Sequence, residues 1–202
     1  MNVSSLMTRY DAAIAAIDAA NAQDPNRILQ PDGREQAAEA VYSAHMSAML
    51  AQLYPEASEP LRLAVRAQHI RRWEVPRSDY AMDRAGYHRW RNDLKRRHAG
   101  WTASILRTCG YSDADIERTC MLIRKENLRL DPETQALEDT ACLVFLAHYA
   151  EAFAAKHDEA KLLGILSKTW AKMSAYGQSQ ALELNLPPAI RVLVTRAVSE
   201  TK

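Results

Sequence analysis

The segment from Asp131 to Lys156 constrains the fold of this chain more than any other. Asp131-Pro132 supplies a helix start, a capping carboxylate followed by proline in the first turn. The middle of the segment is apolar on every side, which suits a buried helix and not one at a protein surface. Such a helix needs neighbours on all its faces, so the other segments must pack around it. They read as helices too, with apolar residues recurring at three- and four-residue spacing and no strand or hairpin signal. The expected fold class is all-α, a compact bundle of about seven or eight helices in one domain over residues 1–202.

The first helix is expected from Ser5 to Asn21, ahead of Pro25, with Asn26 to Gly33 as a turn. A second covers Arg34 to Leu53, and Ser58 with Pro60 opens a third that reaches Trp73. Pro76 and Ser78 mark Val75 to Arg84 as a loop. The fourth helix runs from Ala85 to Cys109 and stops at Gly110, and the fifth from its Ser112 cap to Lys125. Asp158 to Tyr176 and a segment after Pro187-Pro188 complete the set around a core spanning 34–176. Trp73, Leu143 and Phe145 are expected inside that core.

A hydrophobic fraction of 48% and a charged fraction of 25% fit a soluble globular protein. The longest strongly apolar run, Thr140 to Ala147, is too short to span a bilayer, so no membrane association is expected. MNVSSLMTRYDAA lacks the basic-then-apolar pattern of a secretory signal. Cys109, Cys120 and Cys142 are odd in number and have no CxxC spacing, which reads as free thiols in a reducing compartment; the cytosol is the expected location. The net charge of +1 hides an uneven spread. Eleven Arg and Lys stand against four Asp and Glu from Arg62 to His98, whereas Asp113 to Ala160 holds five against eleven. The first stretch is a cationic strip able to attract an anionic ligand.

Within this pattern four polar residues fall on apolar helix faces. His45 lies one turn from Val41 and Met49, and His69 one turn from Val65 and Trp73. His98 shares a stripe with Leu94, Trp101 and Ile105, and Asp139 shares one with Cys142, Leu143 and Leu146. A buried carboxylate needs a cation, a metal or several donors, and histidines on neighbouring helices are suitable partners. A shared polar site follows, with His45, His69, His98 and Asp139 as candidate ligands of a divalent metal ion. The plain alternatives are hydrogen-bonded core histidines and an Asp139 ion pair with an arginine such as Arg72. His148, nine residues and about 13.5 Å along the helix from Asp139, reads as a core histidine.

Cations accompany the candidate ligands. Arg72 follows His69 by three residues, Arg91, Lys95 and His98 share one helix face, and Arg124-Lys125 closes the fifth helix. Arg72, Arg91, Lys95 and Arg124 suit phosphate or carboxylate groups, the alternative being a solvated basic face. There is no glycine-rich phosphate loop, no HExxH and no nucleophile elbow. Lys172-Met173-Ser174-Ala175 resembles the KMSK loop of class I aminoacyl-tRNA synthetases, but it falls inside an expected helix and has no HIGH-type partner.

The strings AQHIRRWEVPRSDY, GYHRWRNDLKRRHA, LIRKENL and LEDTACLVFLAHY resemble the uncharacterised family called domain of unknown function 4202, over nearly the whole chain. That resemblance implies no activity. A more distant one is to HD-domain phosphohydrolases, all-helical enzymes with a histidine, a His-Asp pair, further histidines and a late aspartate. Here His45, His69, His98 and Asp139 come in that order, with gaps of 24, 29 and 41 residues, and Arg124 stands where some members have another histidine. Ile70 occupies the aspartate position of the His-Asp pair, which removes the usual bridge between two metals.

The expected function is that of a metal-dependent hydrolase of a phosphate-containing or other anionic small molecule. His45, His69 and Asp139 would hold the metal, with Glu138 or His98 as fourth ligand or acid/base, and a bound metal would make hydroxide available near neutrality. Arg72, Arg91, Lys95 and Arg124 would hold the anion. The alternative is a non-catalytic nucleotide- or RNA-binding module using the 62–98 strip, with Tyr87 or Trp90 exposed for stacking. A third reading is a helical scaffold whose buried polar cluster only specifies packing.

Overall fold

The structure, a computed structural model, describes residues 7–30 and 32–199. Ten α-helices dominate it: α1 (Arg9–Asn21), α2 (Ala38–Leu53), α3 (Glu59–Ala67), α4 (Arg84–Thr108), α5 (Asp113–Arg124), α6 (Pro132–Val144), α7 (Ala150–Ala154), α8 (Glu159–Lys172), α9 (Ala175–Glu183) and α10 (Pro188–Ser199). The fold is an all-α bundle. The expected helix start at Ser5 lies outside the described residues.

Capping chemistry sets most of the boundaries. Thr8 and Asp11 close a capping box on α1, Ser58 accepts from Leu61 N–H, and Ser112 accepts from Asp115 N–H. Asp131 accepts from both Glu133 and Thr134 N–H, with Pro132 in the first turn. α6 packs against α2, α3, α5, α8 and α9. Residues around its whole circumference are buried, Leu137, Asp139, Thr140 and Leu143 completely. It is the central helix. One core runs from Ala13 and Ile17 on α1 to Val194 on α10. Arg66 ties the first three helices together by donating two parallel hydrogen bonds to the Asp18 carboxylate (2.6 and 2.7 Å) and others to Ser43 O and Ser47 Oγ.

Two interruptions raise the count from eight expected helices to ten. The helix begun by α6 widens into a π-turn over Phe145–Tyr149 before α7. The expected helix 158–176 breaks at Met173 and Ser174, both extended, and Ser174 caps α9. The lysine-methionine-serine string therefore lies at a helix junction, not inside a helix. The third helix stops at Ala67, short of Trp73, because Arg71 takes a left-handed conformation (φ 51°) whose amide donates to Asn21 Oδ1. The expected turn at 26–33 is part of a small hairpin, β1 (Arg27–Leu29) antiparallel to β2 (Glu35–Ala37), so α2 starts at Ala38. Among the described residues, no helix is long and apolar enough to cross a membrane.

Leu143 is fully buried as expected, but Trp73 and Phe145 are only half-buried. Phe145 packs on the core with one side and lines a pocket with the other. Phe145→Ala should therefore cost about 1–2 kcal/mol and not the roughly 3–5 kcal/mol of a fully buried ring, as read from urea unfolding.

Candidate functional site

Residues of α2, α4, α6 and α8 enclose a pocket of about 440 Å³. Glu39 and Tyr42 come from α2, His69 and Arg72 from the turn after α3, and Arg91 from α4. Lys125 from the end of α5, Glu138 from α6 and Lys172 from α8 complete its charged lining. Phe145 and Tyr149, at the two ends of the π-turn, supply apolar wall, and such turns recur at functional sites. Two non-glycine residues beside the pocket hold left-handed backbones, Arg71 and Lys125 (φ 51° and 56°). A left-handed backbone at a non-glycine residue costs on the order of 1–3 kcal/mol; Lys125 takes it as the C-terminal cap of α5.

Glu39 is placed by a remote cap. Its amide N–H donates to Asp24 Oδ2 (3.0 Å), fifteen residues earlier, which fixes the first turn of α2. Its side chain is 15% exposed, with Oε2 3.4 Å from His69 Nδ1 and Oε1 3.9 Å from Arg72 Nε. Burial pushes the carboxyl up to about 7; Arg72 opposes this and the Asp24 carboxylate adds to it. His69 stacks on the Tyr42 ring (4.0 Å, 10°). Burial, then Arg72, His98, Arg91 and Lys125, hold it well below the ordinary histidine range, so it is neutral. Arg72 Nη1 lies 3.4 Å from His69 Nε2 and can only donate, which leaves the imidazole proton on Nδ1, facing Glu39.

Arg72 lies over the Trp90 ring (4.9 Å), and the indole N–H donates to Val75 O (2.8 Å). Trp90 is therefore half-buried and engaged, whereas Tyr87 is exposed as expected. Lys125 reaches Glu138 Oε2, and Lys172 Nζ lies 3.8 Å from Glu138 Oε1. Burial pushes Glu138 up, but Lys125 beside it more than reverses this and holds it below the usual range. Arg91 lines the pocket without an ion pair or hydrogen bond to any described residue. Lys95 is equally unpaired; burial, then Lys125 and Arg91, lower its pKa. It lies in a small void next to the pocket, together with His98. Among the described residues that line pocket and void, Arg72, Arg91, Lys95, Lys125 and Lys172 face only Glu39 and Glu138, a surplus of three positive charges when both carboxyls are ionised.

The structure brings together His69, His98, Glu138, Arg72, Arg91 and Lys95 around these two spaces. It does not bring the four candidate metal ligands together. His45 stacks on His148 (3.8 Å, 10°), and His148 is exposed, not a core residue. Asp139 spends all its acceptor capacity on Tyr54 OH, Gln135 Nε2, Ser174 N–H and Ser174 Oγ, and it pairs with neither a histidine nor Arg72. His98 Nδ1 is taken by Ile70 O at 2.7 Å. Among the described residues, no group of three or more His, Cys, Asp or Glu is placed to hold one ion. As the structure places them, His45, His69, His98 and Asp139 point to separate partners and do not converge on one point. Arg124 pairs with Glu117 and Glu126 and does not line the pocket.

Sequence reasoning missed Glu39, Tyr42 and Lys172, and it named Lys125 only as a cation closing the fifth helix. Glu39 and Tyr42 sit three apart on α2, a spacing that was available as a signal. The direction of Lys125 depends on a left-handed cap, which carries no such signal. No curated protein and no solved structure matches the chain. One family matches over residues 11–194, the span that holds every pocket residue described above, and the chain belongs to that family, Domain of unknown function (DUF4202).

Proposed function

We propose that the pocket is the site of an acid–base enzyme acting on a phosphate-bearing small molecule. The observation that carries this reading is the surplus of cations lining the two spaces, above all the half-buried Arg91 and Lys95, which have no ion-pair or hydrogen-bond partner among the described residues. Unpaired cations are costly to bury, and a bound anion offsets that cost. Arg72, Arg91 and Lys125 are the groups to hold the anion, and aromatic walls such as Tyr42 and Tyr149 suit an apolar portion beside it. Glu39, titrating at about 7, is matched to proton transfer near neutrality, and His69 is its partner. Burial pushes the Cys142 thiol up to about 12, which leaves it inert as a nucleophile. Hydrolysis, with water attacking, is the reaction class this favours. No step is assigned to a metal. The three free thiols support a reducing compartment such as the cytosol.

Arg91→Ala tests the reading, because Arg91 holds nothing else in place. Calorimetric binding of phosphate-bearing compounds should weaken about 10- to 100-fold, while the melting temperature should move by no more than about 2 °C. Unchanged affinity would remove the pocket's claim to the anion. A second reading, an RNA-binding surface, is favoured by Arg84, Arg89 and Arg97 lying exposed on α4, the helix that also exposes Tyr87. It requires RNA affinity that falls steeply with salt and survives Arg91→Ala.

A further inference from the structure

Behind His69, and sharing Gln68, His69, Arg72, Arg91 and Lys125 with the pocket as walls, lies the separate void of about 20 Å³. That is room for one oxygen atom of water size, not for a whole phosphate. Lys95 and His98 line it, and Leu94 and Ile123 supply apolar wall. His98 is 3% exposed, and its Nε2 is buried without a hydrogen-bond partner among the described residues.

The chemistry of that nitrogen is fixed by its neighbours. Ile70 O can only accept, so the bond at His98 Nδ1 puts a proton there. The surroundings supply Arg72, Arg91, Lys95 and Lys125 as cations and His69 as a further imidazole, with no carboxylate among the described residues that line the void. A second proton on the ring is disfavoured, and His98 is neutral. Its Nε2 is then a bare acceptor in a cationic shell. The shell favours a negative occupant, and the nitrogen requires that this occupant carry a hydrogen. Few anions do both. Chloride, sulfate, a carboxylate and a phosphodiester have no proton to give near neutrality. Inorganic phosphate and phosphomonoesters do, their last proton leaving at a pKa of about 6 in an ester.

We infer that the void is a subsite for the P–OH oxygen of a phosphate monoester or free phosphate, with His98 Nε2 accepting its proton in a hydrogen bond. The other phosphate oxygens then lie in the larger pocket against Arg72, Arg91 and Lys125. His98 is thus a specificity-determining residue that selects monoesters over diesters and phosphate over sulfate. This rests on the anion-pocket reading above and narrows it to one substrate class.

Charge alone predicts the reverse order, because sulfate is a full dianion at pH 6.5 and phosphate is largely not. A phosphate preference is therefore diagnostic. The full chain is titrated calorimetrically at pH 6.5 and matched ionic strength with inorganic phosphate, sulfate, methyl phosphate and dimethyl phosphate. Phosphate and methyl phosphate should bind at least about tenfold more tightly than sulfate and dimethyl phosphate. In His98→Gln the side-chain amide can donate to sulfate, and the preference should shrink to within about threefold. If that variant does not fold, the four titrations of the parent protein decide the matter. Equal binding of phosphate and sulfate, both lost in Arg91→Ala, would overturn the subsite and leave the anion pocket standing; a resident water would then satisfy Nε2. Binding of neither anion at millimolar concentration would overturn both.

Discussion

Asp139→Ala is expected to destabilise the protein by about 3–5 kcal/mol. Asp139 is completely buried, and its Oδ1 accepts from Ser174 N–H (2.8 Å) and Gln135 Nε2 (2.9 Å). Oδ2 accepts from Tyr54 OH (2.9 Å) and Ser174 Oγ (2.5 Å). This one carboxylate thus joins α6 to α2 and sets the break between α8 and α9. Truncation strands up to four donors, each costing about 1–3 kcal/mol where it stays buried. Asp139→Asn should cost about half as much, because the new amide donor faces hydroxyls able to rotate and accept. At 2–4 °C per kcal/mol for a chain of this size, the alanine variant should melt roughly 10 °C lower by circular dichroism. An alanine variant melting within about 2 °C of the parent would mean that Asp139 holds nothing together, and a ligand role for it would regain its footing.

Asp139 also shows where the sequence stops being readable. The stripe Asp139, Cys142, Leu143, Leu146 identifies an inward face of the central helix, and all four residues are buried. That helix is inward on every face, so burial carries no direction. Glu138 and Cys142 line the pocket, while Asp139, next in sequence to Glu138, turns to Ser174 and Tyr54. The helix inventory was legible because caps such as Ser58, Ser112 and Asp131 are local signals. The π-turn, the left-handed Arg71 and Lys125, and the break at Ser174 were not, since tertiary partners fix them. The pocket cations Arg72 and Arg91 and the void cation Lys95 were legible from charge clustering. The spacing of Glu39 and Tyr42 marks a shared face of α2, but that Glu39 meets His69 was not legible, since a cap from Asp24 and the crossing of α2 over the turn after α3 bring it there. For His98 the missing partner was a backbone carbonyl, which residue identity does not encode.

The buried titrating groups of the site should leave a signature in stability against pH, measured by urea unfolding in phosphate-free buffer. Glu39 is raised from 4.5 to about 7, mainly by burial. Its folded state binds the proton more tightly, so its contribution is complete below pH 4.5 and is lost as pH rises through 7. The gap corresponds to about 3 kcal/mol. His98 is lowered from 6.5 to about 3, again mainly by burial, with Arg72 and Arg91 adding to it. Its contribution is complete above pH 6.5 and is lost as pH falls through 3, a swing of about 5 kcal/mol. His69 is lowered too and acts in the same direction as His98. The slopes of Glu39 and His98 oppose each other between pH 4.5 and 6.5, with His69 tilting the balance toward loss on the acid side. Glu39→Gln isolates one limb. Relative to the parent, the variant should gain about 3 kcal/mol between pH 4.5 and pH 8, because glutamine has no charge to desolvate. A relative gain below about 1 kcal/mol would show that Glu39 titrates as an ordinary carboxylate, and the proton-transfer role assigned to it would fall.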